Sequence, residues 1–98
     1  MGKYILQVSY QIKPDARTQY LDLAAQLKRH MVEIKGKPFE IFELSGKKNT
    51  FVEQLHAESE EEFEQIEDDL DELTQQLNLK IQTLTVDGKS TYSTLSEI

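Results

Sequence analysis

Alternating apolar and polar residues begin the chain, and apolar residues at helical spacing follow them. Residues 4–12 place large apolar side chains at every second position, which predicts a strand. In residues 16–34 apolar side chains recur every three or four positions, which predicts an amphipathic helix. Lys13-Pro14-Asp15 separates the two segments, because proline donates no hydrogen bond to a strand ladder and suits a helix entrance.

A β-hairpin is predicted after the first helix. Gly36 is expected to stop that helix, and residues 38–44 and 50–57 are rich in aromatic and branched side chains. Residues 45–49, which join these two strands, consist of turn formers.

A second helix is predicted to begin at Ser59, because Ser59 and Glu62 have the spacing of a capping box. Its apolar stripe runs to Leu77, and Asn78 is the expected C-cap. Residues 80–86 are predicted to form a fourth strand, and Asp87-Gly88 a two-residue turn.

The element order predicts an α+β fold of the ferredoxin-like type, β-α-β-β-α-β. Right-handed crossovers would place both helices on one face of a four-stranded antiparallel sheet. We expect residues 1–88 to form this domain. Residues 89–98 are expected to be a C-terminal tail or an extra edge strand, or to reach across a dimer.

The sheet face without helices is predicted to bind a second copy of the chain. The first strand should turn its more apolar set towards the helices and Ile5, Gln7, Ser9 and Gln11 away from them. For the hairpin strands the sequence leaves the orientation open, since both alternations carry bulky residues. A face that mixes apolar with amide and hydroxyl side chains needs a second layer, and a homodimer is the simplest source.

The element order, Lys13-Pro14-Asp15, and Phe51-Val52-Glu53 leading into Ser59-Glu60-Glu61-Glu62 resemble the dimeric α/β-barrel superfamily. This superfamily includes the antibiotic-biosynthesis monooxygenase and stress-responsive A/B-barrel types. The resemblance covers nearly the whole chain as a pattern. It implies that two sheets close into a barrel, with small ligands inside the barrel or between sheet and helices. Its haem-degrading members use an Asn, a Trp and a His; this chain has no Trp, so that activity is not expected.

Composition narrows the classes of function. The 98 residues suffice for one domain, and the net charge of −7 disfavours nucleic acid and anionic membranes as partners. The absence of cysteine excludes disulfides and thiolate chemistry. No apolar run approaches the length of a membrane span, and a cytoplasmic protein is expected. We expect neither a metal site nor a cofactor.

His56 is the candidate catalytic residue, since an imidazole near the end of a barrel strand could act as a base near neutral pH. The structural alternative is a strand-end histidine bonded to a neighbour. His30 is expected to be a dipole partner at a helix end. The candidate ligand-binding residues are polar groups on or near the sheet: Gln7, Ser9, Gln11, Gln54 and Tyr10.

Three functions remain open from the sequence, and whether the protein is an enzyme is one of the open questions. The leading hypothesis is a homodimer that binds a small molecule. One alternative is a cofactor-independent, monooxygenase-like enzyme acting on an aromatic substrate with His56 as base. The other is a structural or adaptor dimer without a ligand, which could dock a basic partner through the acidic second helix. A cavity filled by the protein's own side chains would favour the adaptor.

Overall fold

The computed structural model describes residues 3–68 and 70–98, apart from the side chain of Glu67. Its antiparallel sheet consists of β1 (Tyr4–Ile12), β2 (Phe39–Glu43), β3 (Thr50–Ala57) and β4 (Thr85–Ser96) in the order β2-β3-β1-β4. Three α-helices, α1 (Arg17–Arg29), α2 (Glu60–Asp68) and α3 (Glu72–Thr83), accompany the sheet. The predicted ferredoxin-like α+β fold is therefore confirmed, with three α-helices in the described residues in place of the predicted two.

The first helix follows the apolar pattern of the sequence. A 3₁₀ turn with Pro14 at its first position leads into α1, and a π-helical turn (His30–Ile34) extends it. Gly36 then has a φ of 66°, the left-handed geometry that commonly follows a helix end. The buried stripe lies on one side of α1 and its extension, and consists of Tyr20, Leu23, Ala24, Leu27 and Met31.

The predicted second helix is interrupted, and the strand predicted over residues 80–86 is wrong for its first five residues, because α3 and its C-cap Leu84 occupy them. The backbone N–H of Glu62 donates to Ser59 Oγ at 3.2 Å, as the capping box predicts. The helix ends at Asp68, however, and Asp71 caps a new one by accepting from the Thr74 N–H at 2.9 Å. α3 then passes Asn78, because buried Leu77, Ile81 and Leu84 continue the helical spacing.

Asp87-Gly88 does not connect two strands, so the predicted hairpin turn is wrong. Both residues have positive φ, 58° and 64°, and both lie within β4. The pairing of β4 with β1 jumps from Ser90 to Thr85 while β1 advances only from Tyr10 to Ile12. The pair therefore forms a bulge, and residues 89–96 belong to the edge strand β4 of the same sheet.

Strand register decides which side chains face the helices. Tyr10 pairs with Phe51 and Val8 pairs with Glu53, so these four side chains share one face of the sheet. The Tyr20 ring of α1 lies 4.3 Å from the Phe51 ring and 5.7 Å from the Tyr10 ring, measured between centroids. The orientation predicted for β1 is thus confirmed, and the orientation of β3 is now fixed.

In the described residues, no helix is both long enough and apolar enough to cross a membrane.

Candidate functional site

A cavity of about 710 Å³ lies between the helix-facing side of the sheet and the helices. The cavity lies over the middle of the sheet. There Leu6 and Val8 of β1 face the helices but are only half-buried, because the helices do not pack closely against them. The walls contain aliphatic and aromatic side chains with a few polar ones. The described lining residues are Leu6, Val8, Tyr10, Leu27, Met31, Phe39, Glu53, Leu55, Ile66, Leu70, Thr74, Gln75, Asn78, Leu79, Ile81, Gln82, Ser90, Tyr92 and Thr94.

The cavity opens between α3 and β4. Leu79 of α3 is 63% exposed and Tyr92 of β4 is 70% exposed, although both line the cavity. Gln75, Asn78 and Gln82 of α3 are also exposed lining residues. A molecule entering here would pass exposed side chains before reaching the buried end of the cavity, which Tyr10 and Glu53 line.

Three side chains from different elements form a buried polar cluster at this end. The Tyr10 phenol of β1 donates to Oε2 of Glu53 on β3. The phenol oxygens of Tyr10 and Tyr20 are 2.8 Å apart. Because a phenol carries one proton, the Tyr20 hydroxyl donates to Tyr10 in this arrangement. We call Glu53, Tyr10 and Tyr20 the buried cluster.

Burial changes the acid–base properties of the cluster. It raises the pKa of the Glu53 carboxyl above its ordinary value, and the hydrogen bond from Tyr10 opposes this only in part. Burial also raises the pKa of Tyr10 and of Tyr20 above that of a free phenol, so both stay protonated at neutral pH. Glu53 is thus the carboxylic acid of the cluster, and burial favours its protonated form relative to an exposed glutamate.

The predicted site residues are divided between the two faces of the sheet. Tyr10 alone faces the helices and lines the cavity. The other five lie on the face without helices, which we call the open face. There Gln54 Nε2 donates to Gln7 Oε1 at 2.9 Å, and His56 Nε2 lies 3.1 Å from Glu40 Oε1. Ser9 pairs with Val52, and Gln11 with Thr50.

Glu53 is a site residue that the sequence pattern alone did not predict. The sequence feature that indicates Glu53 is an acid placed midway between Phe51 and Leu55 on the same alternation, and both of these residues are buried in the structure. An acid that alternates with buried residues faces the core as they do, and a buried glutamate is rare unless it is paired. The burial of Glu53 follows only from the orientation of β3, and that orientation depends on the pairing of β3 with β1.

A second charged cluster has a structural role. Arg17 makes two hydrogen bonds to the Glu43 carboxylate, at 2.6 and 2.8 Å, and a third to Asn49 Oδ1 at 2.8 Å. Arg17 holds the pKa of Glu43 down, to about 2. Asn49 has a φ of 67° and donates its N–H to Glu43 at 2.9 Å. These contacts fasten the β2–β3 loop to the start of α1.

His30 joins the segment after α1 to the start of α3. Its Nε2 lies 2.7 Å from Asp71 Oδ2, and Lys35 Nζ lies 3.8 Å from the same oxygen. The bonds from Thr74 and from His30 lower the pKa of Asp71 below its usual range. Across residues 3–68 and 70–98, no three His, Asp or Glu side chains are grouped to hold a metal ion.

The chain matches no protein-family model and no curated protein. Solved structures share its fold. A conserved protein from Methanosarcina mazei Go1 has a TM-score of 0.83 at 10% identity over 100% of this chain and 95% of that one. An antibiotic biosynthesis monooxygenase has a TM-score of 0.73 at 20% identity over 100% of this chain and 99% of that one. A mutant of SnoaB, a cofactor-independent oxygenase from Streptomyces nogalater, has a TM-score of 0.73 at 10% identity. This match covers 95% of this chain and 90% of that one.

These similarities confirm, at the level of the fold, the resemblance to the antibiotic-biosynthesis monooxygenase type predicted from the sequence. At such identities a shared fold does not carry an activity with it. The function therefore depends on the chemistry of the cavity and the buried cluster.

Proposed function

We propose that this protein binds one small, mostly apolar molecule in the cavity between sheet and helices. The observation that carries the proposal is a cavity of about 710 Å³ with Glu53 and Tyr10 at its buried end. Ligand sites are typically concave, lined mainly by apolar side chains, and oriented by a few polar groups, with volumes of about 300–1,000 Å³. The apolar walls would supply affinity, and the buried cluster would orient the molecule.

The open cavity favours a binding protein over an adaptor dimer without a ligand. Leu6 and Val8 face the helices at the middle of the sheet, but they do not fill the space between the sheet and the helices. Unfilled apolar volume destabilises a fold, because the lining atoms lose packing contacts. A bound molecule would restore those contacts.

Filling the cavity is expected to abolish binding. We expect the V8W variant to bind Nile red, an uncharged apolar dye, at least about tenfold more weakly than the wild type, because the indole would occupy the space of the dye. Fluorescence titration measures the dissociation constant, and circular dichroism checks that the variant is folded. The matched control is V32W, since Val32 is 43% exposed and does not line the cavity. Binding to V8W at wild-type affinity, or no binding to the wild type, would overturn the proposal.

We also infer that the open face packs against a second copy of the chain. Ile5 pairs with Leu95, and Phe42 pairs with Val52, so apolar groups lie along this face on all four strands. Phe42 and Leu95 are 46% and 43% exposed in the single chain. An apolar surface of this kind typically marks an interface.

A charge at the centre of the open face is expected to separate the two copies. We expect the wild type to sediment with the mass of two chains and V52R with the mass of one, because a buried unpaired guanidinium is strongly unfavourable. Sedimentation equilibrium measures both masses, and V32R is the control for an added charge on the helical side. A wild type that sediments as one chain, or a V52R variant that remains paired, would contradict the inference.

An enzymatic alternative rests on the similarity in fold to SnoaB, a cofactor-independent oxygenase. For this chain, the alternative would require a base that removes a proton from the substrate. His56, the base predicted from the sequence, lies on the open face, and its catalytic role stays a prediction for chemistry inside the barrel. Within the helix-side cavity, Glu53 is the group suited to that task.

A further inference from the structure

Glu53 is the one charged side chain among the described residues that line the cavity. It is 9% exposed. Its Oε2 accepts a hydrogen bond from the Tyr10 hydroxyl, and no described residue donates a hydrogen bond to Oε1. A buried carboxylate is stable only when it is paired or fully hydrogen-bonded. The buried cluster therefore satisfies one oxygen of this carboxylate and leaves the other without a donor among the described residues.

No cation of the described residues forms an ion pair with Glu53. The titratable groups that face Glu53 are the phenols of Tyr10 on β1 and Tyr20 on α1, and both are neutral. No Lys, Arg or His is among the described lining residues. Arg17, at the start of α1, is already bonded to Glu43 and Asn49.

We propose that the ligand of this cavity is an apolar organic cation, an amine whose ammonium group donates to Glu53 Oε1 while its apolar body fills the space lined by Val8, Leu27 and Leu55. This inference rests on the proposed binding function and specifies its ligand class. An ammonium supplies both the opposite charge and the hydrogen-bond donor that Glu53 lacks. The net charge of −7 also favours the approach of a cation over that of an anion.

Three probes with one aromatic body and different charge test the proposal. They are 1-naphthylmethylamine, 1-naphthylmethanol and 1-naphthoate, titrated calorimetrically at pH 7 and low salt. We expect the amine to bind at least about tenfold more tightly than the alcohol, and naphthoate to bind more weakly than both, because charge-assisted hydrogen bonds are the stronger ones. Since burial raises the pKa of Glu53, the preference for the amine should weaken as the pH falls and this carboxyl is protonated.

The E53Q variant is the decisive comparison, because glutamine keeps the shape of the side chain and removes its charge. We expect E53Q to lose the preference for the amine while its affinity for the alcohol stays within about threefold of wild type. E64Q, an exposed acid on α2, is the matched control and should keep the preference. A wild type that binds the alcohol as tightly as the amine, or an E53Q variant that retains the preference, would overturn the proposal.

The outcomes separate this inference from the proposed function. Binding of the alcohol or of naphthoate that V8W blocks, without a preference for the amine, would overturn the ligand class and leave the binding function supported. Absence of binding for all three probes and for Nile red would overturn both.

Discussion

Replacing Tyr20 with alanine is expected to lower the free energy of unfolding by about 3–5 kcal/mol, the range found for large aromatic truncations in cores. Tyr20 is 0% exposed. Its ring packs against those of Tyr10 and Phe51, and its hydroxyl bonds to that of Tyr10. The truncation would remove contacts between α1 and both central strands and would leave a void. Urea denaturation followed by circular dichroism measures the loss.

Two further variants isolate the cause. Y92A is the matched control, because Tyr92 is 70% exposed, and it should change stability by less than about 0.5 kcal/mol. Y20F keeps the ring and removes only the hydroxyl, so it should cost about 1 kcal/mol, the net value of one hydrogen bond. If Y20A proved no less stable than Y92A, the Tyr20 ring would not hold α1 against the two central strands.

The E53Q variant is expected to be more stable than the wild type at pH 7, because a carboxyl whose pKa is raised in the folded state destabilises that state once the pH exceeds its unfolded-state pKa. Burial raises the pKa of Glu53 in the folded state. Below the unfolded-state pKa the carboxyl is protonated in both states and costs nothing. As the pH rises above that value, the unfolded chain gives up its proton before the folded one does. The wild type therefore loses stability with rising pH until the folded carboxyl also ionises.

Urea denaturation of both proteins between pH 4 and pH 8 measures this difference. We expect the two curves to approach each other near pH 4 and to separate towards pH 7, with E53Q the more stable. E64Q should follow the wild type at every pH, because Glu64 is exposed. A constant difference between E53Q and wild type across this range would mean that the folded environment does not raise the pKa of Glu53.

The two roles of Glu53 are physically connected. A group that destabilises the empty protein can contribute to binding if a ligand supplies the partner it lacks. Under our proposal an amine would bind more tightly and would also remove the pH-dependent loss of stability. The binding and unfolding experiments thus examine the same carboxyl through independent observables.

The local sequence pattern was sufficient to predict those structural elements whose signals lie within a few neighbouring residues. The alternation in residues 4–12 predicted β1 and which of its side chains face the helices, and Tyr10 is buried on that face. The Ser59–Glu62 spacing predicted the start of α2. Local pattern failed at residues 80–84, whose β-branched and aliphatic residues suit a strand locally. In the fold, Ile81 and Leu84 continue the buried side of α3, so packing outweighed propensity.

The sequence by itself determined the order of most elements, the ferredoxin-like architecture and the acidity of the chain, because these depend on spacing and composition. Only the tertiary structure decided the site. A strand that is apolar on both alternations can turn either side to the core, and a slip of one residue reverses every side chain. The pairing of Val8 with Glu53 resolves this for β3. It places Glu53 in the helix-side cavity beside Tyr10 and Tyr20, and it places Gln54 and His56 on the open face.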